Sequence, residues 1–332
     1  MSITLLDCTL RDGAHVNASN FGHDHISSII KCLNKASLDI IELGFLKPGK
    51  YNNNHTNFPY IEDVYSLLQE RPEKSHYSLM ARADAYNVND LSECTGTVQY
   101  IRIAFYYNYL EGAVKFAREV ISKGYRCVLN PINTPGYTYE ELCELIECVN
   151  AINPHALTIV DTFGVLLKNS LNKILDVLDS KLDPGIRICL HAHENLALSF
   201  SLAQNFLERY AHKRDISIDS SLMGIGRIPG NLCTELIADH LNVFYEKNYN
   251  LVPVLHCIEN DILPIKQSMP WGYSTAYFLS ARHKVHRSYS EYLLKNNFSL
   301  EKMDSLLSYI PREHSVHFNK DCIDLIIREK AL

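Results

Sequence analysis

Two short segments hold most of the residues that could do chemistry. Leu6-Asp7-Cys8-Thr9-Leu10-Arg11-Asp12-Gly13-Ala14-His15 packs a guanidinium, a carboxylate and an imidazole between Arg11 and His15. His191-Ala192-His193 carries two imidazoles at i and i+2, which face the same side of an extended chain. Two imidazoles and one carboxylate make a mixed O/N donor set. Such a set suits Mn²⁺, Mg²⁺, Co²⁺ or Zn²⁺ and leaves positions open for substrate. Asp12 is the natural carboxylate, so Asp12, His191 and His193 are the expected metal ligands.

Other polar clusters are weaker. His23-Asp24-His25 precedes an apolar helical stripe, so it reads as a helix start. His283 with His286, and His314 with His317, fall in the C-terminal region and read as surface or packing residues. Gly224-Ile225-Gly226-Arg227-Ile228-Pro229-Gly230-Asn231 reads as a tight turn, without the spacing or position of a dinucleotide fingerprint. Arg82 and Arg102 could bind an anion or form structural ion pairs.

These residues need a scaffold, and the periodicity supplies one. Strands are expected at Ile3 to Cys8, Ile40 to Phe45, Tyr77 to Ala81, Tyr100 to Phe105, Arg126 to Ile132, Ala156 to Asp161, Ile186 to His191 and Ile216 to Leu222. Helical stripes lie between them, such as Ile26, Ile29, Ile30 and Leu33, or Ile61, Val64, Tyr65 and Leu68. Eight strand–helix units predict an α/β fold, a (β/α)8 TIM barrel over residues 1–250. From about Leu251 the alternation stops, and residues 256–332 read as a small C-terminal α-helical appendage. In such a barrel the chemistry gathers at the C-terminal ends of the strands. Arg11, Asp12, His15, Asp161, Thr162, His191, His193, Glu194, Asn195 and Asp219 all fall there.

Composition narrows the function. A net charge of −6 gives no basic surface for tight nucleic-acid binding. No apolar stretch approaches the roughly 20 residues of a membrane helix. The ten cysteines are scattered without a C-x-x-C pair. Reduced, buried thiols and an apolar start straight after Met1-Ser2 fit a cytoplasmic protein.

Four motifs, in order, resemble those of the DRE-TIM metallolyases. Leu6 to Gly13 is similar to that family's strand-1 signature, and Asp161-Thr162-Phe163-Gly164 to its strand-6 motif. His191-Ala192-His193-Glu194-Asn195-Leu196 is similar to the strand-7 metal motif, and Gly226 to Asn231 to the strand-8 loop. Within the superfamily the chain looks most like the 4-hydroxy-2-oxovalerate aldolases. Claisen-type members usually carry Gln where this chain has His15, and Gly272-Tyr273-Ser274-Thr275-Ala276-Tyr277 resembles an aldolase motif.

The resemblance implies a divalent metal, Mn²⁺ first, held by Asp12, His191 and His193, with Asn231 as a further ligand candidate. It implies that Arg11 stabilises a developing enolate, that His15 is the general base, that Thr162 contacts substrate, and that Tyr273 places substrate or relays a proton. Asp12 and His191 would also meet the bound 2-oxo acid. The expected reaction cleaves a 4-hydroxy-2-oxo acid to pyruvate and an aldehyde, or runs in reverse. A Claisen-type acyl-CoA condensing enzyme or CoA lyase, a barrel used only for binding, and a biosynthetic aldolase of sugar-like acids are the alternatives. A homodimer is the expected assembly. The catabolic aldolases also pack on an acylating aldehyde dehydrogenase. The Asn-rich insertion Tyr51 to Asn57 and the sequence after His283 depart from them.

Overall fold

The computed structural model describes residues 1–68 and 74–330. Eight parallel strands alternate with helical segments: β1 (Ile3–Asp7), β2 (Ile40–Leu46), β3 (His76–Arg82), β4 (Tyr100–Phe105), β5 (Arg126–Pro131), β6 (Ala156–Asp161), β7 (Arg187–Ala192) and β8 (Ile216–Ser220). β1 pairs with both β8 and β2, in the registers Leu5 to Ile218 and Leu6 to Ile40, and so closes the sheet into a TIM barrel. These are the eight expected strands, with edges moved by a residue or two.

Alternation along each strand explains the closure. Leu5, Ile188, Leu190 and Ile218 point outward into the layer of helices. Their neighbours Leu6, Ile40, Tyr100, Val128, Ala156 and Cys189 fill the barrel interior. The helix His23–Lys35 buries Ile26, Ile29, Ile30 and Leu33, the expected stripe. The helix Tyr139–Ile152 starts at a capping box: Glu141 N donates to Thr138 Oγ1 at 3.1 Å and Thr138 N to Glu141 Oε2 at 2.7 Å. Among the described residues, the second and third units carry tight 3₁₀ turns, Ile61–Leu67 and Val88–Asp90, and no full α-helix.

The Asn-rich insertion folds back onto the segment between the turn Ala14–Asn17 and the helix His23–Lys35. Gly22 N donates to Asn54 O and Thr56 N to Ser19 O, both at 3.0 Å. A two-residue strand, Asn57–Phe58, then lies beside β2. Gly44 permits this approach: its φ is +151°, and a methyl there would overlap the carbonyl of Thr56.

The C-terminal region is helical, as expected. The helix Leu251–Cys257 packs against the helix His23–Lys35. Val254, Cys257, Ile258, Ile262 and Trp271 belong to the barrel's own core. A second core begins at Ala276 and runs to Ile326. The boundary drawn near 256 from loss of alternation therefore falls inside a helix that still serves the barrel. The appendage lies against the C-terminal mouth: Trp271 Nε1 donates to Met223 O at 3.0 Å, and Arg287 Nη1 to Ile228 O at 2.9 Å. No helix among the described residues is long and apolar enough to cross a membrane.

Candidate active site

β1 ends at Asp7, and the chain turns at once into the helical segments Thr9–Asp12 and Ala14–Asn17. Arg11, Asp12 and His15 thus ride on helical turns over the mouth and not on the strand itself. Asp7 anchors the turn: its Oδ1 accepts from Thr9 N at 2.9 Å and its Oδ2 from the Thr234 hydroxyl at 2.6 Å. Thr9 Oγ1 accepts in turn from Leu222 N at 2.8 Å, tying the turn to the loop after β8.

Across the barrel, β7 delivers His191, and His193 stands one residue past its end, bridged to Asn231. One ligand atom from each of Asp12, His191 and His193 lies within 4.8 Å of the others. All three side chains are buried, at 2%, 4% and 5% exposure.

The donor set fits a divalent cation. His193 Nδ1 hydrogen-bonds the carbonyl of Asp161 at 2.9 Å, which fixes the ring and turns the lone pair of Nε2 toward Asp12 Oδ2, 3.7 Å away. That Nε2 is buried without a hydrogen-bond partner, and so is Asn231 Oδ1. Burial holds His191 below the ordinary imidazole value, and so keeps it neutral, as a ligand must be. Its Nδ1 sits 3.1 Å from Asp219 Oδ2. Burial alone would raise Asp12, but the guanidinium of Arg11, chiefly, and the nearby His15 hold its carboxyl well below the usual range. Asp12 Oδ2 also accepts from Asn231 Nδ2 at 2.7 Å and from Arg227 N at 3.1 Å. Gly226 passes so close that a methyl there would overlap both Asp12 Oδ2 and Asn231 Nδ2.

Beneath the triad lies a buried ionic network. Arg11 donates through Nε to Glu42 at 2.7 Å and through Nη1 to Asp12. Arg102, fully buried, bridges Glu42 at 3.0 Å and Asp219. Arg102 is therefore a structural ion-pair residue, while Arg82 pairs with Asp84 at the surface. Three carboxylates (Asp12, Glu42, Asp219) face two guanidiniums (Arg11, Arg102), a net charge of −1 that favours a bound cation.

His15 is 42% exposed, with Nε2 3.8 Å from Asp12 Oδ1. The Phe45 ring from β2 meets it edge-on with centroids 5.9 Å apart, and the same ring lies 5.9 Å below the Arg11 guanidinium. Desolvation in the enclosing mouth and the cations Arg227, Arg11 and Arg287 outweigh the pull of Asp12 and hold the partly exposed His15 below the ordinary imidazole value, so it is neutral near pH 7.

The other expected site residues divide. Thr162 is buried at the end of β6, its hydroxyl accepting from Asn133 N at 2.8 Å. Tyr273 is 57% exposed on the loop before the helix Thr275–Arg282, and its hydroxyl makes no hydrogen bond among the described residues. His25 pairs with Asp261 at 2.7 Å on the barrel's outer layer. His286, expected as a surface or packing residue, joins the mouth: it bonds to Arg227 and meets the Phe163 ring at 5.8 Å. Glu42, Phe45, Arg227 and Arg287 were not foreseen. For Glu42 a signal existed, a single charge inside the apolar run Ile40 to Leu46.

A closed TIM barrel with an Asp/His/His cluster at the C-terminal mouth defines the class. The chain belongs to the HMGL-like family, whose family model matches residues 2–252. Among curated relatives, the 4-hydroxy-2-oxovalerate aldolase of Roseiflexus castenholzii is 24% identical over 274 residues, 80% of this chain and 79% of that protein. The 4-hydroxy-2-oxovalerate aldolase of Pseudoalteromonas translucida is 21% identical over 309 residues, 86% of each. Among solved structures, the N-terminal domain of a putative aldolase from Bacteroides vulgatus superposes with a TM-score of 0.73 at 21% identity, covering 92% of this chain and 97% of that one.

Proposed function

We propose that this chain is a divalent-metal-dependent aldolase that cleaves a 4-hydroxy-2-oxo acid to pyruvate and an aldehyde, or runs the reverse condensation. The observation that carries the proposal is the convergence of Asp12, His191 and His193 beside a neutral histidine, His15, and a guanidinium, Arg11. The names of the curated relatives point the same way.

A divalent cation held by Asp12, His191 and His193 would polarise the 2-oxo group and draw charge onto its oxygen. The protein's own residues do the rest. In cleavage, His15 accepts the proton of the carbinol hydroxyl. The C–C bond then breaks: its electron pair passes into the pyruvate half as an enolate, and the aldehyde leaves. Two Arg11 nitrogens are held by Glu42 and Asp12, so the guanidinium is fixed, and its Nη2 remains to stabilise the enolate oxygen. Protonation of the enolate carbon completes pyruvate. Thr162 and Tyr273 are proposed to touch substrate from the β6 end and the appendage.

The test needs no knowledge of the aldehyde. Purified protein should exchange the methyl protons of pyruvate with D₂O only when a divalent metal is present. Asp12→Asn should bind metal more weakly, and His15→Ala should lose most of the exchange. Protein that neither binds Mn²⁺, Mg²⁺, Co²⁺ or Zn²⁺ nor exchanges pyruvate protons with any of them would sink the proposal.

A further inference from the structure

We infer that the aldehyde half of the substrate carries an anionic group, a carboxylate or a phosphate, bound by Arg227 and Arg287. The inference rests on the aldolase reading above, for it names the substrate class of the same site. The pyruvate end of a 4-hydroxy-2-oxo acid is committed to Arg11 and the triad, and the carbinol to His15. What lies beyond the carbinol must therefore meet whatever borders His15 on its other side. Arg227 and Arg287 border it: Arg227 N bonds Asp12 Oδ2, the other oxygen of Asp12 lies 3.8 Å from His15 Nε2, and Arg287 bonds the carbonyl of Ile228, next to Arg227 in the chain.

Arg227 has a backbone reason to be there: its N–H holds Asp12 Oδ2. Its side chain has no carboxylate partner among the described residues, only His286, whose imidazole burial and the two arginines keep neutral. Arg287 is anchored by Nη1 to the carbonyl of Ile228, and its nearest acid is Glu291, 3.5 Å from Nε. Glu291 is shared with the hydroxyl of Tyr277 at 3.3 Å. One acid thus serves two half-buried guanidiniums. A neutral aldehyde would leave that imbalance standing, whereas an anion there would gain charge-assisted hydrogen bonds from planar donors suited to two-point recognition.

The space agrees. A cleft of about 800 Å³ opens beside this pair between the loops after β4 to β6 and the appendage. Its barrel wall carries Tyr106 and Phe163, and its appendage wall Lys284, Arg312 and His317. The arginines do not line the cleft themselves, but Phe163, which does, meets the ring of His286, the partner of Arg227, so the cleft adjoins the arginine pair through these two rings. Ligand sites typically span roughly 300–1,000 Å³, far more than a two-carbon aldehyde fills, and among the described residues the only acid lining this one is Glu141.

The experiment compares pyruvate condensation with propanal, succinic semialdehyde and glyceraldehyde 3-phosphate, together with calorimetric binding of succinate and of inorganic phosphate to the metal-loaded protein. The expected kcat/KM for one anionic aldehyde exceeds that for propanal by about 10- to 100-fold, the size of one or two charged hydrogen bonds. The better of the two anionic aldehydes says whether the group is a carboxylate or a phosphate. Arg227→Met and Arg287→Met should each shrink the preference about tenfold or more, and Arg227→Lys should restore part of it. Propanal used as well as either anion, variants that lower all aldehydes equally, or a preference for acetyl-CoA with release of free thiol would each overturn the inference. Pyruvate proton exchange without aldehyde reports the aldolase reading separately. If exchange fails, the binding arm decides: succinate or phosphate bound at least about tenfold more tightly by the parent than by Arg227→Met upholds the anion site, and equal binding rejects it.

Discussion

Replacing Arg102 with Met removes the cation that joins the two sides of the buried network. Arg102 bridges Glu42 and Asp219, with side-chain exposures of 1% or less throughout. In the variant Glu42 keeps Arg11, at 2.7 Å, but Asp219 keeps only His191, a neutral imidazole. Burial would raise the Asp219 carboxyl, and it is chiefly Arg102 that brings it down to about 2. A buried carboxylate stripped of its partner typically costs about 3–5 kcal/mol, a large share of the roughly 5–15 kcal/mol by which a folded domain is stable. Urea titration reads the loss through Trp271, the single tryptophan, buried where barrel meets appendage, with far-UV circular dichroism alongside. Asp219→Asn added to Arg102→Met removes the stranded charge, so the double variant should be less destabilised than the two single losses summed, by about 1–3 kcal/mol. Asp219 also orients His191, so Arg102→Met should weaken metal binding by about 10- to 100-fold. An Arg102→Met protein within about 0.5 kcal/mol of the parent, or strictly additive losses, would refute the reasoning.

Two further perturbations follow from the same geometry. Gly226→Ala puts a methyl into Asp12 Oδ2 and Asn231 Nδ2. It should weaken metal binding by about 10- to 100-fold while costing about 1–3 kcal/mol of stability, and unchanged affinity in a metal titration would reject the placement of Asp12. Asp7 titrates in the opposite sense from Asp219. Burial raises its carboxyl from 3.8 to about 6 despite hydrogen bonds from Thr234 and Thr9. The folded state therefore holds the proton more tightly than the unfolded chain, and the stabilisation is full below about pH 4 and is lost as pH rises through 6. The gap is worth about 3 kcal/mol. Relative to Asp7→Asn, the parent should thus lose about that much stability between pH 4 and 7, and a pH-independent difference in urea titrations would show that Asp7 stays charged.

The strands and the convergence of Asp12, His191 and His193 were legible because their signals are local. Each strand is a short apolar run, and Asp12, His191 and His193 stand where two of those runs end. The network beneath them was not legible as a network. Glu42 and Arg102 each interrupt an apolar strand with one charge, which marks a position facing the barrel interior, but their pairing spans 60 residues of chain and appears only on closure. The helical turn at Thr9–Asp12 was hidden for another reason. Its first N–H is held by Asp7 beneath it, and Asp7 is held in turn by Thr234, 227 residues away. The helix Leu251–Cys257 shows the same limit. The loss of alternation after Leu251 predicts helix there and says nothing about the neighbour, which is the helix His23–Lys35.

The two ends of the site are built differently. Everything that would hold the 2-oxo acid, from Arg11 to Asn231, comes from the barrel and is locked by buried pairs and backbone hydrogen bonds. The far end is composite. Arg227 is supplied by the loop after β8, and His286, Arg287 and His317 by the appendage. Those residues reach the mouth only because Trp271 and Arg287 fasten the appendage to the carbonyls of Met223 and Ile228, which flank Gly226 in the very loop that positions Asp12. One loop therefore carries a contact to Asp12 on one side and the attachment of the appendage on the other. On the proposed reading, residues that would choose the aldehyde can differ along the appendage without disturbing Asp12, His191 and His193, provided the loop from Met223 to Asn231 keeps its path.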